Sequence, residues 1–215
     1  MAKILITEDE DSLRSFVARA LRLDGHETDE AADGAEGLEK LRDGVYDLLL
    51  SDIRMPVMDG IESTREILAA AAGRGETPPR IIVLTTFDLD EAAMRAIRGG
   101  ASGFLLKDAD PEFLLAAIRT VHAGTSVIAA SATRELFEAF DSHTAAETPA
   151  AFETLTSRER DIFVLAARGL SNAEIASTEF LSEATVKTHI SRVLGKLGLR
   201  DRVQLVVFAY ENGLT

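Results

Sequence analysis

Apolar and polar positions change their spacing partway along this chain. Over the first 123 residues, short apolar runs alternate with longer stretches in which apolar residues recur every three or four positions. The runs at 4–7, 48–51, 81–84 and 104–106, with a weaker one at 27–31, predict strands. The stretches at 12–23, 34–42, 60–72, 90–98 and 111–123 predict amphipathic helices. The strongest runs are apolar throughout rather than alternating, as strands buried on both faces are. Five strand–helix pairs in that order predict an α/β fold: a doubly wound, five-stranded parallel sheet covered on both faces.

The pattern then loosens. Residues 124–153 predict a linker, with a helix over 130–140 and a connector carrying Ser142, Thr144, Thr148 and Pro149. From 154 to 215 the spacing is purely helical and predicts a small all-α domain of four helices, near 157–168, 172–179, 183–197 and 202–212. Thr156 with Glu159 and Ser171 with Glu174 have the spacing of capping boxes, and Ser182 is a third N-cap. Gly169, Gly198 and Gly213 stand where helices stop. In the helix over 183–197, Val186, Ile190, Val193 and Leu197 fall on one face and predict the core side. Ala184, Thr188, Ser191 and Gly195 fall opposite, edged by Lys187 and Arg192.

Composition narrows the class. The 215 residues contain no cysteine, so there is neither a disulfide framework nor a thiolate metal site. No apolar run approaches the roughly 18 residues that span a bilayer. The start of the chain has no signal-peptide pattern. A soluble, cytoplasmic protein without a membrane partner is expected. The net charge of −13 argues against a nucleic-acid partner until it is divided along the chain. Residues 1–151 hold 15 Lys and Arg against 28 Asp and Glu, and residues 152–215 hold 8 against 8. Within 184–202, Lys187, Arg192, Lys196, Arg200 and Arg202 face Asp201 alone. A phosphate-binding patch in the tail is therefore compatible with the acidic total.

In an open parallel sheet, chemistry gathers at the carboxyl ends of the strands. Those ends carry Glu8 and Asp9, Asp52, Thr85 and Lys107. Three carboxylates in one place repel one another unless a cation joins them, and a hard divalent ion such as Mg2+ accepts carboxylate oxygens. A carboxylate so placed can act as a nucleophile and become an aspartyl phosphate. A lysine and a hydroxyl beside it would neutralise and hold the phosphoryl oxygens. Asp59, in Asp59-Gly60, is expected to be a turn residue rather than a ligand.

Glu8-Asp9, LLLSDIRMPVMDG at 48–60, IIVLTTFD at 81–88 and GASGFLLKD at 100–108 resemble the receiver domain of two-component response regulators over residues 1–123, a flavodoxin-like fold. The resemblance implies that Asp52 is the phosphoacceptor. Asp9 and Asp52 would bind Mg2+ with the backbone carbonyl of Arg54, and Glu8 would assist through water. Thr85 and Lys107 would hold the phosphoryl group, and Phe104 would change rotamer as Thr85 moves. Glu8 stands where Asp is more usual, and Asp108 where many receivers have Pro. Haloacid-dehalogenase-like phosphatases also use a nucleophilic Asp after a strand, but they want a second Asp two residues on, where this chain has Arg54. Arg54 and Phe87 are bulky enough to crowd an attacking water, which predicts a slowly self-hydrolysing phosphoprotein.

LTSRERDIFVLAARGLSNAEIA at 155–176 and LSEATVKTHISRVLGKLGLRDRVQ at 181–204 resemble the helix-turn-helix domain of the nitrate-regulator (LuxR/FixJ-type) transcription factors. That resemblance implies base contacts from Lys187, Thr188 and Ser191. Thr185, Arg192 and Lys196 would meet phosphates, and Ser171 would cap its helix near the DNA backbone. Val203, Val206, Val207 and Tyr210 would supply a dimer contact on DNA, with packing inside the domain as the alternative. His189 is expected to be packed or at the rim. Glu179 stands where the family usually has an apolar residue: either the helix ends there, or Glu179 finds a basic partner.

Together these resemblances imply a transcriptional switch rather than an enzyme, apart from self-phosphorylation and dephosphorylation at Asp52. A sensor histidine kinase phosphorylates Asp52, and homodimerisation and binding to double-stranded DNA follow. The altered surface over 90–123 either releases the DNA-binding helices or promotes pairing. The alternative is a phosphate-independent regulator governed by a partner or ligand.

Overall fold

The computed structural model describes residues 1–85, 91–107, 109–122 and 149–214. The chain divides into two compact units, Met1–Val127 and Ile128–Thr215. The predicted linker helix at 130–140, Phe87 and Asp108 lie outside the described residues.

In the first unit the elements are β1 (Lys3–Thr7), α1 (Asp11–Leu23), β2 (Glu27–Ala31), α2 (Gly34–Asp43) and β3 (Leu48–Asp52). They continue with α3 (Gly60–Arg74), β4 (Arg80–Thr85), α4 (Glu91–Arg98), β5 (Gly103–Leu106) and α5 (Pro111–His122). The five strands form one parallel sheet in the order β2-β1-β3-β4-β5. Because successive side chains point to opposite faces of a strand, the all-apolar runs split into two cores. Ile4, Ile6, Leu48, Leu50, Ile82 and Leu84 pack with Val17, Leu21, Leu114 and Ile118 of α1 and α5. Leu5, Leu49, Ile81 and Val83 pack with Leu38, Ile67 and Ala96 of α2, α3 and α4. The weak run at 27–31 is the edge strand β2, and its Glu27, Asp29 and Glu30 suit an edge, where charge discourages further pairing.

The reversal of strand order at β1 and β3 opens a crevice at their carboxyl ends, where ligands bind in such sheets. The loop from β3 to α3 borders it. There Val57 has φ +66° and is 85 % exposed, while Met58 N–H donates to the carbonyl of Pro56 at 2.7 Å. A tight, left-handed turn centred on a β-branched residue is locally strained.

The second unit contains a short α6 (Ala150–Glu153), which the sequence pattern did not predict, then α7 (Ser157–Ala167), α8 (Asn172–Thr178), α9 (Glu183–Leu197) and α10 (Arg202–Glu211). Both expected capping boxes form, Thr156 with Glu159 and Ser171 with Glu174, and Ser182 caps α9 through Thr185 N–H. Gly169, Gly198 and Gly213 all adopt positive φ at helix ends. The core gathers Phe152, Ile162, Phe163, Ile175, Val186, Ile190, Val193 and Leu205. Phe163 meets Phe152 and Phe208 edge-on, with centroids 5.1 and 6.2 Å away.

Candidate functional site

The strand-end pocket is assembled by β1, β3, β4 and β5. Lys107 follows β5, and its ammonium lies 2.8 Å from Asp52 Oδ2 and 2.8 Å from the Glu8 carboxylate. Glu8, at 1 % exposure, and Asp52, at 4 %, are buried, whereas Asp9 is exposed. Carboxylate oxygens of Glu8, Asp9 and Asp52 lie within 4.8 Å of one another. Burial pushes the Glu8 carboxyl above the usual carboxylate range, the adjacent Asp52 adds to this, and Lys107 opposes it. Burial works to lower the Lys107 ammonium, but its bonds to Asp52 and Glu8 win and hold it above the ordinary lysine range.

These charges define what the pocket can hold. Three carboxylates and one ammonium leave a formal surplus of two negative charges when all are ionised. An all-oxygen donor set with that surplus suits a hard divalent cation. Thr85, buried at the end of β4, is tied to the lysine by its backbone: Lys107 N–H donates to the Thr85 carbonyl at 2.7 Å. Phe104 is half-buried against the α2–α4 side of the sheet, in register with Val83 of β4. Arg54 sits exposed in the β3–α3 loop.

Two supporting residues were not singled out from sequence. Arg14, on α1, donates from Nη1 to the Glu8 carbonyl at 2.6 Å and ties the acidic turn to the helix. Gly60 begins α3 hard against the end of β3, the strand that carries Asp52. A Cβ there would lie 2.0 Å from the Asp52 carbonyl oxygen, and Gly60 N–H donates to the Ile53 carbonyl at 2.9 Å. The Asp-Gly pair signalled a turn but not this close approach. Asp59 is the N-cap of α3, accepting from Ile61 and Glu62 N–H at 2.9 and 2.7 Å.

On α9 the predicted faces separate cleanly. Val186, Ile190 and Val193 are buried and Leu197 is half-buried, while Ala184, Lys187, Thr188, Ser191, Arg192 and Gly195 are exposed. Thr185 is half-buried, its hydroxyl 2.8 Å from that of Ser182, and Thr188 bonds back to the Ala184 carbonyl. Ser171 is occupied as the cap of α8. His189 is half-buried, as expected of a packed or rim residue.

The cations of the tail are not equivalent. Lys187 and Arg192 form no ion pair among the described residues. Lys196, expected at a phosphate, points inward: its ammonium is 2.6 Å from Glu159 Oε2 and 3.2 Å from the Thr154 carbonyl. With Thr156 assisting, it pulls the Glu159 carboxyl down to about 2. Arg202 is held by Asn172 and by the carbonyls of Ala166 and Leu170. Glu179 resolves its alternatives both ways, since α8 ends at Thr178 and the Glu179 side chain pairs with Arg158. Val203, Val206 and Val207 are buried, and Tyr210 is half-buried, so this face is not an open apolar patch within the chain.

One unit thus holds a carboxylate cluster with a half-buried lysine at the strand ends. The other is a helical bundle with an exposed polar face on α9, and the comparisons give the family. Residues 4–119 match the response regulator receiver domain, and residues 153–209 match the bacterial regulatory proteins of the luxR family. The chain belongs to the two-component response regulators with a LuxR-type DNA-binding domain. The transcriptional regulatory protein LnrK of Bacillus subtilis is 34 % identical over 100 % of this chain and 99 % of its own. The oxygen regulatory protein NreC of Staphylococcus aureus is 36 % identical over 99 % and 98 %. Among solved structures, the response regulator ChrA of a heme-sensing two-component system is 30 % identical over 99 % of this chain and 98 % of that one, with a TM-score of 0.50. No helix among the described residues is long and apolar enough to cross a membrane.

Proposed function

We propose that this regulator is switched by phosphorylation of Asp52 from a sensor histidine kinase, and that the phosphorylated protein pairs and binds specific double-stranded DNA in the cytoplasm. The observation that carries the proposal is the Lys107 ammonium bridging Asp52 and Glu8 at 2.8 Å inside a three-carboxylate cluster. Asp9, Asp52 and the Arg54 carbonyl would hold Mg2+, with Glu8 assisting through water. When bound, the ion lowers the cost of bringing a dianionic phosphoryl group among these carboxylates. An Asp52 carboxylate oxygen attacks phosphorus as the bond to the kinase histidine breaks. Lys107 then moves its hydrogen bond from the carboxylate to a phosphoryl oxygen, and Thr85 takes another. Phe104 turns inward as Thr85 moves, which alters the α4–β5–α5 surface and favours the paired state. On DNA, Lys187, Thr188 and Ser191 face base edges, and Arg192 and Thr185 meet phosphates.

Sedimentation and DNA binding of the wild type and of Asp52→Ala, each with and without a small phosphodonor and Mg2+, test this directly. Only the wild type should dimerise and tighten on DNA. Identical behaviour of the two proteins would place control outside Asp52 and favour a phosphate-independent regulator.

A further inference from the structure

We propose that Arg158 and Arg202 are positioning residues for DNA recognition: they grip the two ends of α8 and so fix where α9 enters the duplex. The proposal rests on α9 being the helix that reads DNA.

The need for such grips follows from α8 itself. It has seven residues and buries only Ile175 and Ala176. Isolated helices shorter than about 12–15 residues are marginal in water. Besides the packing of these two residues, its placement therefore depends on how its ends are held.

At the amino end, Arg202 reaches over from α10. Its Nη1 donates to Asn172 Oδ1 at 3.1 Å, and its Nη2 donates to the carbonyls of Ala166, at 3.3 Å, and Leu170. One guanidinium thus joins the last turn of α7, the connecting loop and the first residue of α8. Burial lowers its pKa, as expected for a cation drawn into the domain rather than offered to a ligand.

At the carboxyl end, Arg158 from the first turn of α7 pairs Nη1 with Glu179 Oε2, and its Nη2 donates to the Glu179 carbonyl at 2.8 Å. The fork holds a C-terminal carbonyl and a carboxylate together, where a cation is favoured. The turn it holds is an awkward one. Leu181 N–H donates to the Ala176 carbonyl at 2.9 Å, closing a helix stop whose left-handed position normally takes glycine. Here that position is Phe180, with φ +54° and 96 % exposure. The residues that follow, 181–182, lead directly into α9, so a shift at Glu179 moves Thr185 and Lys187. The unusual Glu179 is in this light half of a latch.

The test uses the full chain, a duplex selected in vitro by the wild type, and a scrambled duplex of the same length, across a range of KCl. Arg158→Ala and Arg202→Met should weaken the selected duplex about tenfold, or about 1.4 kcal/mol, at a temperature where circular dichroism shows full helix content. Affinity for the scrambled duplex and the salt slope should not move. The exchange Arg158→Glu with Glu179→Arg should recover much of the loss. Where Arg158→Ala does not fold, Arg158→Lys, which keeps the charge without the fork, carries the measurement. Arg192→Ala, at a phosphate in the proposed reading, is the reference and should reduce the salt slope by about 1 per protomer. A reduced salt slope for Arg158→Ala would make Arg158 a phosphate contact and overturn the proposal. Unchanged affinity for the selected duplex in folded variants would reduce both arginines to scaffolding and also overturn it. Lys187→Ala without effect on either duplex would instead sink the assignment of α9 as the reading helix, a separate failure.

Discussion

Replacing Lys196 with Met should cost the second unit stability and leave its electrostatic attraction to DNA almost untouched. The Glu159 carboxyl is buried and sits at about 2, against an ordinary value of 4.5. At about 1.4 kcal/mol per pKa unit, that difference corresponds to roughly 3 kcal/mol of preference for the charged carboxylate. The bond from Lys196 is the largest contributor, followed by Thr156 N–H, with burial opposing and the Thr156 hydroxyl adding to the effect. The Lys196 side chain is 37 % exposed, so its share is screened by water. A loss of about 1–2 kcal/mol is expected after that discount. Because the folded pKa lies below the unfolded one, this stabilisation is complete above about 4.5 and fades as pH falls toward about 2. Hydrogen exchange on α9 in the full chain is the assay. At pH 7 the Met variant should lose about 5- to 30-fold protection, and the deficit should shrink at pH 3. Unchanged protection, together with a shallower salt dependence of DNA binding, would refute the reasoning and return Lys196 to the phosphate backbone.

The remaining predictions address the pocket and α9. Gly60→Ala places a methyl against backbone rather than against a flexible side chain; thermal unfolding should show a loss of about 2–4 kcal/mol, and no loss would mean that the loop yields easily. Lys187→Ala should weaken specific sites by about 1–3 kcal/mol and random DNA far less, as measured by competition binding. Ser182→Ala removes the cap of α9 and should cost about 1 kcal/mol, readable as faster exchange in its first turn. Chelating Mg2+ should abolish labelling of Asp52 by a small phosphodonor, while labelling that persists in chelator would remove the metal from the proposed chemistry.

The legible parts of this sequence were those governed by local periodicity. The all-apolar runs foretold buried parallel strands because the sheet is covered on both faces. Strand ends converge in such a sheet, so Glu8, Asp52 and Lys107 were predictable neighbours although 55 and 99 residues separate the lysine from its partners. The helical period sorted α9 into a buried and an exposed face, and the three caps were readable from their spacing. What sequence hid was the disposition of charge. Lys196 lies on the exposed side of α9 by period, yet its long stem bends back to Glu159, 37 residues away. Arg158 and Arg202 likewise find partners 21 and 30 residues distant. No local rule pairs such residues, because their meeting depends on how four helices cross. The glycine at 60 hid its role too, since a turn and a steric necessity look identical in one dimension.

The small number of outward cations on α9 bears on how the regulator would find its target. Non-specific attachment to DNA comes from neutralised phosphates, and this attraction is what lets proteins slide along the duplex. On α9 only Lys187 and Arg192 are unpaired among the described residues, and residues 1–151 carry a net −13. On the proposed reading, α9 alone therefore offers a single copy few phosphate contacts on random sequence. If pairing follows phosphorylation as proposed, two such helices double the phosphate contacts, and occupancy of a target rises with the number of paired molecules.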